Sequence, residues 1–202
     1  MTQSKTRFRT LEEYAALDPG DLPECHFELV DGEIVKLPTE SDLNLMIAGY
    51  LFVTLAQFTP HYLIRRGTEV FVTSRFVTSR IPDLVVLSEE GFSQIEGSSR
   101  SAVKPEMPAP RLVVEVVSPG EPGRENHDRD YVEKPREYAA RGIPEYWQVD
   151  PDRAVVRVLR LASSGYSVKE FREGDRVLSI EFPELQLTAE MVLKGGRCDT
   201  SK

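Results

Sequence analysis

Two short apolar runs, residues 81–87 (IPDLVVL) and residues 111–119 (RLVVEVVSP), decide the fold, and each carries one acidic residue. Both runs are rich in β-branched residues and bounded by polar residues, which is typical of strands buried on both faces of a sheet. Asp83 and Glu115 interrupt these runs, and a buried carboxylate is costly unless a metal, a cation or a hydrogen-bond network satisfies it. Because proline favours a strand start, Pro82 places Asp83 near an end of the sheet, where a ligand can reach it.

The composition fits one globular domain. The chain has 202 residues, of which 40% are hydrophobic and 29% charged, enough for one sizeable core and short for two. We expect a single domain over residues 10–193, with a disordered N-terminus (1–9) and a disordered tail (194–202). No apolar run reaches the roughly 18 residues that a membrane-spanning helix needs, so no membrane partner is expected.

Charge and cysteine content restrict the function classes. The 25 basic and 33 acidic residues give a net charge of −8, which argues weakly against a general nucleic-acid binder. It does not exclude a nuclease, because acidic metal ligands lower the net charge and a local basic patch can still meet phosphates. Cys25 and Cys198 form no metal-binding pattern. With no disulfide framework and no secretory signal in the polar, basic N-terminus, we expect a cytoplasmic protein.

The first half of the chain shows clear element signals. Thr10 begins a capping box for a short helix that ends at residues 18–20, and residues 27–35 predict a hairpin with Asp-Gly at its turn. Residues 41–58 predict the longest helix, capped by Ser41. Residues 69–78 predict one strand, and residues 91–110 predict a loop or a mobile cover.

The second half adds one helix and several strands. A polar stretch over residues 120–130 precedes a helix over 131–141. Residues 145–150 and 154–159 predict a second hairpin, which strands near 166–172 and 177–180 extend as a meander. The order of elements indicates an α/β fold with a central mixed sheet flanked by helices.

The two acids indicate metal chemistry. In the simplest topology their strands are neighbours, so Asp83 and Glu115 at matched heights on one face could share one Mg²⁺, which prefers oxygen ligands and keeps several waters. A metal-bound water has a lowered pKa, and the metal stabilises charge that develops on a phosphate. A nearby lysine could orient that water or hold the phosphate.

Four segments carry a resemblance to a known family: residues 27–33, residues 82–86, residues 112–119, and residues 134–151. Their order and spacing resemble the Uma-type family of restriction-endonuclease-like proteins, within the PD-(D/E)XK nuclease superfamily. The resemblance covers about residues 10 to 190. It implies a restriction-endonuclease-like core, with the C-terminal meander as an addition, and an endonuclease that cleaves DNA with Mg²⁺, or with Mn²⁺ in its place.

The resemblance also implies roles for individual residues. Asp83 and Glu115 would be the metal ligands, and Glu28 would be an extra catalytic acid. The lysine of the pattern belongs two positions after the glutamate, where this chain has Val117, and Lys134 matches a position where the family commonly carries one. Since a residue before proline is pushed from the helical region, Pro135 predicts that Lys134 lies at the entrance of its helix rather than inside it.

Three functions therefore compete. The first is a Mg²⁺-dependent DNA endonuclease, in which Arg124 and Arg129 contact the nucleic acid. The second is a degenerate member of the same fold that binds nucleic acid or protein without cleaving it, and the third is a metal-dependent hydrolase of another substrate. The nuclease requires the acids and a lysine to converge, whereas a binding module does not. By analogy with double-strand cleavage in such folds, we also expect a homodimer.

Overall fold

The computed structural model describes residues 7–17, 22–23, 27–37 and 39–197. The strands in this part are β1 (Phe27–Val30), β2 (Glu33–Lys36), β3 (Ile64–Arg65), β4 (Glu69–Val72), β5 (Thr78–Arg80), β6 (Leu84–Val86), β7 (Ala102–Val103), β8 (Leu112–Val116), β9 (Glu145–Asp150), β10 (Val155–Ala162) and β11 (Gly165–Phe171). The α-helices are α1 (Leu11–Ala15), α2 (Asp42–Leu55), α3 (Glu89–Ile95), α4 (Glu125–Asp128), α5 (Lys134–Arg141) and α6 (Ala189–Leu193).

A six-stranded mixed sheet, in the order β11-β10-β9-β8-β6-β3, forms the centre of the fold. Only β8 and β9 run parallel within it, and β9, β10 and β11 form the predicted antiparallel meander. Its central strands are apolar on both faces because helices cover both. Ile47 and Leu51 of α2 pack with Val114 on one face, and Tyr138 of α5 packs with Val113 on the other. This architecture confirms the predicted fold class.

A second mixed sheet, in the order β2-β1-β5-β4-β7, stands beside the first. The predicted Asp-Gly hairpin joins β1 to β2, with Asp31 at φ 47° and Gly32 at φ 80°. A side chain at residue 32 would place its Cβ 2.1 Å from the carbonyl oxygen of Phe8, so glycine is required there for space as well as for conformation. The hairpin fixes the direction in which Glu28 points.

The helix before Gly142 begins earlier than the sequence indicates. α4, a π-helical turn over Arg129–Glu133 and α5 follow one another from residue 125 to residue 141. Gly142, at φ 82°, ends the run. Because Pro135 lacks an N–H and its ring needs room beside the preceding turn, the wider π turn before it lets the run continue.

Two predictions for the middle of the chain are wrong. Residues 69–78 form no single strand: β4 and β5 pair antiparallel across residues 73–77, with Val72 opposite Thr78. Residues 91–110 are more than a loop, because they contain most of α3 and all of β7. The polar triplet Thr78–Arg80 carries no apolar strand signal, and that is why β5 escapes detection.

The C-terminal part differs from the prediction in one element. Residues 177–180 form no strand; the side chain of Ser179 and the backbone N–H of Ile180 instead bond to Glu145. α6, which the sequence reasoning missed, follows with Thr188 as its N-cap.

At the two ends of the described chain, Phe8 is buried against Tyr14 and Lys194 follows α6. The predicted end of the first helix at residues 18–20 lies outside the described residues. No helix in the described ranges is long and apolar enough to cross a membrane.

Candidate metal and phosphodiester site

Asp83 and Glu115 lie opposite each other at the ends of two neighbouring strands. β6 and β8 pair antiparallel with Leu84 opposite Val114, and one further step of this register sets residue 83 opposite residue 115. The backbone N–H of Val116 donates to Oδ2 of Asp83 at 2.6 Å. The sequence prediction that these acids occupy adjacent strands is therefore confirmed.

Both acids line one small cavity, which we call the acidic cavity. Its charged lining consists mainly of Glu28, Asp83, Glu115, Arg129, Asp130 and Lys134. Its volume of about 50 Å³ admits a few water molecules or a hydrated ion and is too small for a nucleotide. A polymeric substrate must therefore present its reacting group at the cavity mouth.

Two carboxylates of this cavity, Asp83 and Glu115, have raised pKa values and are therefore harder to ionise than usual. Burial, followed by the charge of Glu115, raises the pKa of Asp83 to about 7. Burial also raises the pKa of Glu115, although Lys134 opposes the shift. Because a bound cation would relieve both effects, this pair is electrostatically prepared for one.

Lys134 converges on the acids. Its Nζ donates to Oε2 of Glu115 at 2.7 Å and lies 3.2 Å from Oδ1 of Asp130 and 3.6 Å from Oε1 of Glu28. Burial disfavours the charge on Lys134, but the carboxylates, Glu115 foremost, outweigh this and raise its pKa. Lys134 is therefore a permanent cation at neutral pH.

The expected position of Lys134 at a helix entrance is wrong. Its φ of −56° and ψ of −46° are helical, and the helical run begins nine residues earlier, at Glu125. Val117, at the position of the pattern's usual lysine, is buried, and its N–H donates to the carbonyl of Val149. The lysine at this site is therefore Lys134 of α5, and not a residue that follows Glu115 on β8.

Glu28 reaches the cavity from the second sheet. One of its oxygens, Oε2, accepts from Nη1 of Arg80 at 2.8 Å. The other, Oε1, is buried without a hydrogen bond to any described residue and faces Lys134 at 3.6 Å. Burial alone would raise the pKa of Glu28, but Lys134 and Arg80 outweigh it and lower that pKa, so Glu28 stays ionised.

Arg80 links the second sheet to the helical run 125–141 beside this site. It is fully buried on β5 and, besides Glu28, binds both oxygens of Glu137, at 2.7 and 2.8 Å, and Glu133 at 3.2 Å. A buried guanidinium needs such partners. Sequence reasoning missed Arg80 because its role depends on partners more than fifty residues away along the chain.

Asp130 is a further acid that sequence reasoning missed. It is 2% exposed and bonds to Arg129 at 3.2 Å, as well as facing Lys134. Its pKa is lowered, since Lys134 and Arg129 outweigh the cost of burial. Its position in a charged stretch suggested a solvated loop, and only the helical run 125–141 turns it inward.

The two arginines predicted to contact nucleic acid differ in their position relative to the acidic cavity. Arg129 lines the acidic cavity, whereas Arg124 is exposed and is not part of its lining. Arg129 is therefore the one that the fold brings to the carboxylates.

The donor set fits a hard divalent cation. Mg²⁺ keeps several waters and binds through one or two carboxylates, and Oδ1 of Asp83 has no hydrogen-bond partner among the described residues. No group of three or more His, Cys, Asp or Glu side chains placed to hold a metal ion is found in the described ranges.

A half-buried and a buried carboxylate at adjacent strand ends, with a lysine beside them, are the arrangement expected of restriction-endonuclease-like proteins. The chain belongs to the Uma2 family, whose model, described as "Putative restriction endonuclease", matches residues 11–190. The resemblance drawn from the sequence is thereby confirmed.

A solved structure supports the same fold. A protein from Anabaena variabilis ATCC 29413, described as "a putative nuclease belonging to DUF820", aligns with a TM-score of 0.67 over 93% of this chain and 99% of that chain, at 20% sequence identity. The search of curated proteins found no match. Family and fold together support a nuclease-like role.

Proposed function

We propose that this protein is a Mg²⁺-dependent endonuclease of the PD-(D/E)XK type that hydrolyses phosphodiester bonds in DNA. The observation that carries the proposal is the convergence of Asp83, Glu115 and Lys134 on one cavity, with Lys134 Nζ 2.7 Å from Glu115. A module that only binds its partner does not need this convergence, so it favours the enzyme over the degenerate alternative.

Asp83 and Glu115 would hold the metal, in line with their positions in the acidic cavity and their raised pKa values. When bound, Mg²⁺ supplies a water of lowered pKa and stabilises negative charge on the phosphate. Mn²⁺, with similar ligand preferences, would replace it.

Lys134 acts as a cationic hydrogen-bond donor rather than as a general base, because the carboxylates around it keep it protonated. From its position beside Glu115 it orients the attacking water or the scissile phosphate. Glu28 and Asp130 hold the ammonium group from the other side. This division assigns binding of the metal to the strands and positioning of the reactants to α5.

Arg129 supplies positive charge at the cavity, where a phosphate of the DNA backbone would contact it. Arg124 is exposed and directly precedes α4. It would contact a neighbouring phosphate of the same DNA strand. The small volume of the cavity favours a polymer that stays outside over a small substrate enclosed within, and so speaks against the hydrolase of a non-nucleic substrate.

We further propose that the protein acts in the cytoplasm, and that it does so as a homodimer, since double-strand cleavage by such folds commonly uses two sites. The edge strand β11, which pairs only with β10 among the described residues, offers its outer edge for such contact. Size-exclusion chromatography with light scattering would measure this state directly.

Cleavage of supercoiled plasmid DNA tests the proposal. We expect the wild type to nick or linearise the plasmid with Mg²⁺ and to lose this activity with EDTA. Lys134→Met should lower the rate by about 100-fold or more, the usual cost of removing a preorganised donor. Lys104→Met, at an exposed lysine outside the cavity, is the matched control and should cleave as the wild type does. Metal-independent cleavage, or equal rates for both variants, would contradict the proposal.

A further inference from the structure

We propose that Tyr138 is a positioning residue that holds Glu115 in its metal-binding orientation when Lys134 turns towards the substrate. The inference rests on the proposed function, because it assigns Glu115 to the metal. It goes beyond it by giving a role to a side chain that touches neither the metal nor the DNA.

The geometry starts with the spacing of two donors on α5. Lys134 and Tyr138 are four residues apart, so they lie on the same face of the helix, one turn apart. Each donates to a different oxygen of Glu115: Lys134 Nζ to Oε2 and the Tyr138 hydroxyl to Oε1, both at 2.7 Å. α5 therefore binds the Glu115 carboxylate through one charged and one neutral donor.

The two donors differ in how exclusively they serve Glu115. The ammonium of Lys134 also faces Asp130 and Glu28. The hydroxyl of Tyr138 has no hydrogen bond to any described residue except Glu115. Lys134 therefore has two further carboxylates beside it, whereas Tyr138 has no other acceptor among the described residues.

Packing fixes the ring that carries this hydroxyl. Tyr138 is completely buried, and its ring meets that of Tyr146 edge-on, with centroids 4.9 Å apart and an interplanar angle of 73°. A ring held in this way keeps its hydroxyl at a fixed point. Because the donor is neutral, it leaves the negative charge of Glu115 available to a cation.

Each carboxylate oxygen accepts two hydrogen bonds or ligands. Tyr138 uses one acceptor position of Oε1 and Lys134 uses one of Oε2, so Glu115 retains capacity for a metal without losing either donor. Outer partners of this kind orient metal ligands, and their removal typically lowers metal affinity 10- to 100-fold.

The chain offers a matched control in Tyr146. It is equally buried and belongs to the same aromatic pair, yet its hydroxyl makes no hydrogen bond to a carboxylate within the described part of the chain. Tyr146→Phe therefore removes the same atom from the same cluster without touching Glu115.

The test is titration calorimetry of Mn²⁺ into the wild type, Tyr138→Phe and Tyr146→Phe, together with metal-free crystal structures. We expect Tyr138→Phe to raise the Kd about 10- to 100-fold and to release the Glu115 side chain, and Tyr146→Phe to bind within about twofold of the wild type. If the wild type binds and the two variants bind alike, the inference is overturned and the metal site stands.

Failure of the proposed function would look different. If even the wild type binds no Mn²⁺, the metal site is rejected, and the metal-free structures alone decide whether Tyr138 positions Glu115: an unmoved Glu115 in Tyr138→Phe overturns that role. If Tyr138→Phe does not fold, the Mn²⁺ complex of the wild type decides, because Glu115 must bind the metal while Oε1 stays bonded to Tyr138. A Glu115 that turns away from Tyr138 to reach the metal would overturn the inference.

Discussion

Two buried glutamates on neighbouring strands of the central sheet have opposite kinds of hydrogen-bond partners. Glu145, on β9, is fully buried and accepts from Trp147 Nε1 at 2.7 Å and from the hydroxyl of Ser179 and the N–H of Ile180, both at 2.6 Å. Glu115, on β8, bonds to the cation Lys134 and to Tyr138, and it opens onto a cavity.

The difference separates an acid whose partners are all supplied by the fold from the one that we propose binds a metal. The donors around Glu145 are neutral, fixed and complete, and they anchor the segment that leads to α6. Around Glu115 the charges are dense, a second acid lies opposite, and room is left for a ligand. Burial of a carboxylate is therefore not a functional signal by itself; an open cavity and an incomplete set of partners are.

The largest effect should come from Arg80, which pairs with Glu28 and Glu137 in the ionic network beside Glu115. Arg80→Met leaves Glu28 and Glu137 without their buried partner, so we expect a loss of about 3–5 kcal/mol in the free energy of unfolding. Urea denaturation measures this. Arg100→Met, at a half-exposed arginine paired with Glu69, is the control and should cost clearly less. Equal losses would show that the Arg80 network is no more important than this more exposed pair.

A gain in stability should follow from Asp83→Asn above neutral pH. Because folding raises the pKa of Asp83 to about 7, the stability that this group contributes is complete below its unfolded pKa and is lost as pH rises through 7. Without metal, the variant should therefore be more stable than the wild type by roughly 2–4 kcal/mol at pH 8, with no gain near pH 4. Asparagine keeps an oxygen for the N–H of Val116. Thermal unfolding across this pH range checks the sign, and an advantage that is independent of pH would contradict it.

A smaller loss is expected from Glu145→Gln. One amide oxygen can still accept from Trp147 and Ser179, but the amide nitrogen then faces the N–H of Ile180, which costs on the order of 1–3 kcal/mol. The folded variant should cleave DNA at the wild-type rate, as measured in plasmid assays below its unfolding temperature. A catalytic defect in the folded state would erase the distinction between the two glutamates.

The sequence predicts the strand-borne part of the site well. Asp83 and Glu115 stand out because each interrupts an apolar β-branched run, and that contrast is local. Their pairing on neighbouring strands follows from the simplest topology, and the family resemblance leads to Lys134.

The ionic network around these acids was beyond sequence reasoning. Arg80 lies in a polar triplet that resembles a loop, and Asp130 lies in a charged stretch that resembles solvated surface. Their burial depends on partners from β1 and from the helical run 125–141, and therefore on tertiary packing. The second sheet was missed for the same reason: its short strands carry weak local signals.

The central claim is that Asp83 and Glu115 form one metal site and Glu145 does not. Titration calorimetry of Mg²⁺ into the wild type, Asp83→Asn, Glu115→Gln and Glu145→Gln tests it most directly. The account predicts binding by the wild type and by Glu145→Gln, and none by the folded variants at Asp83 and Glu115. Absence of binding in the wild type, or undiminished affinity in either of those two variants, would contradict it.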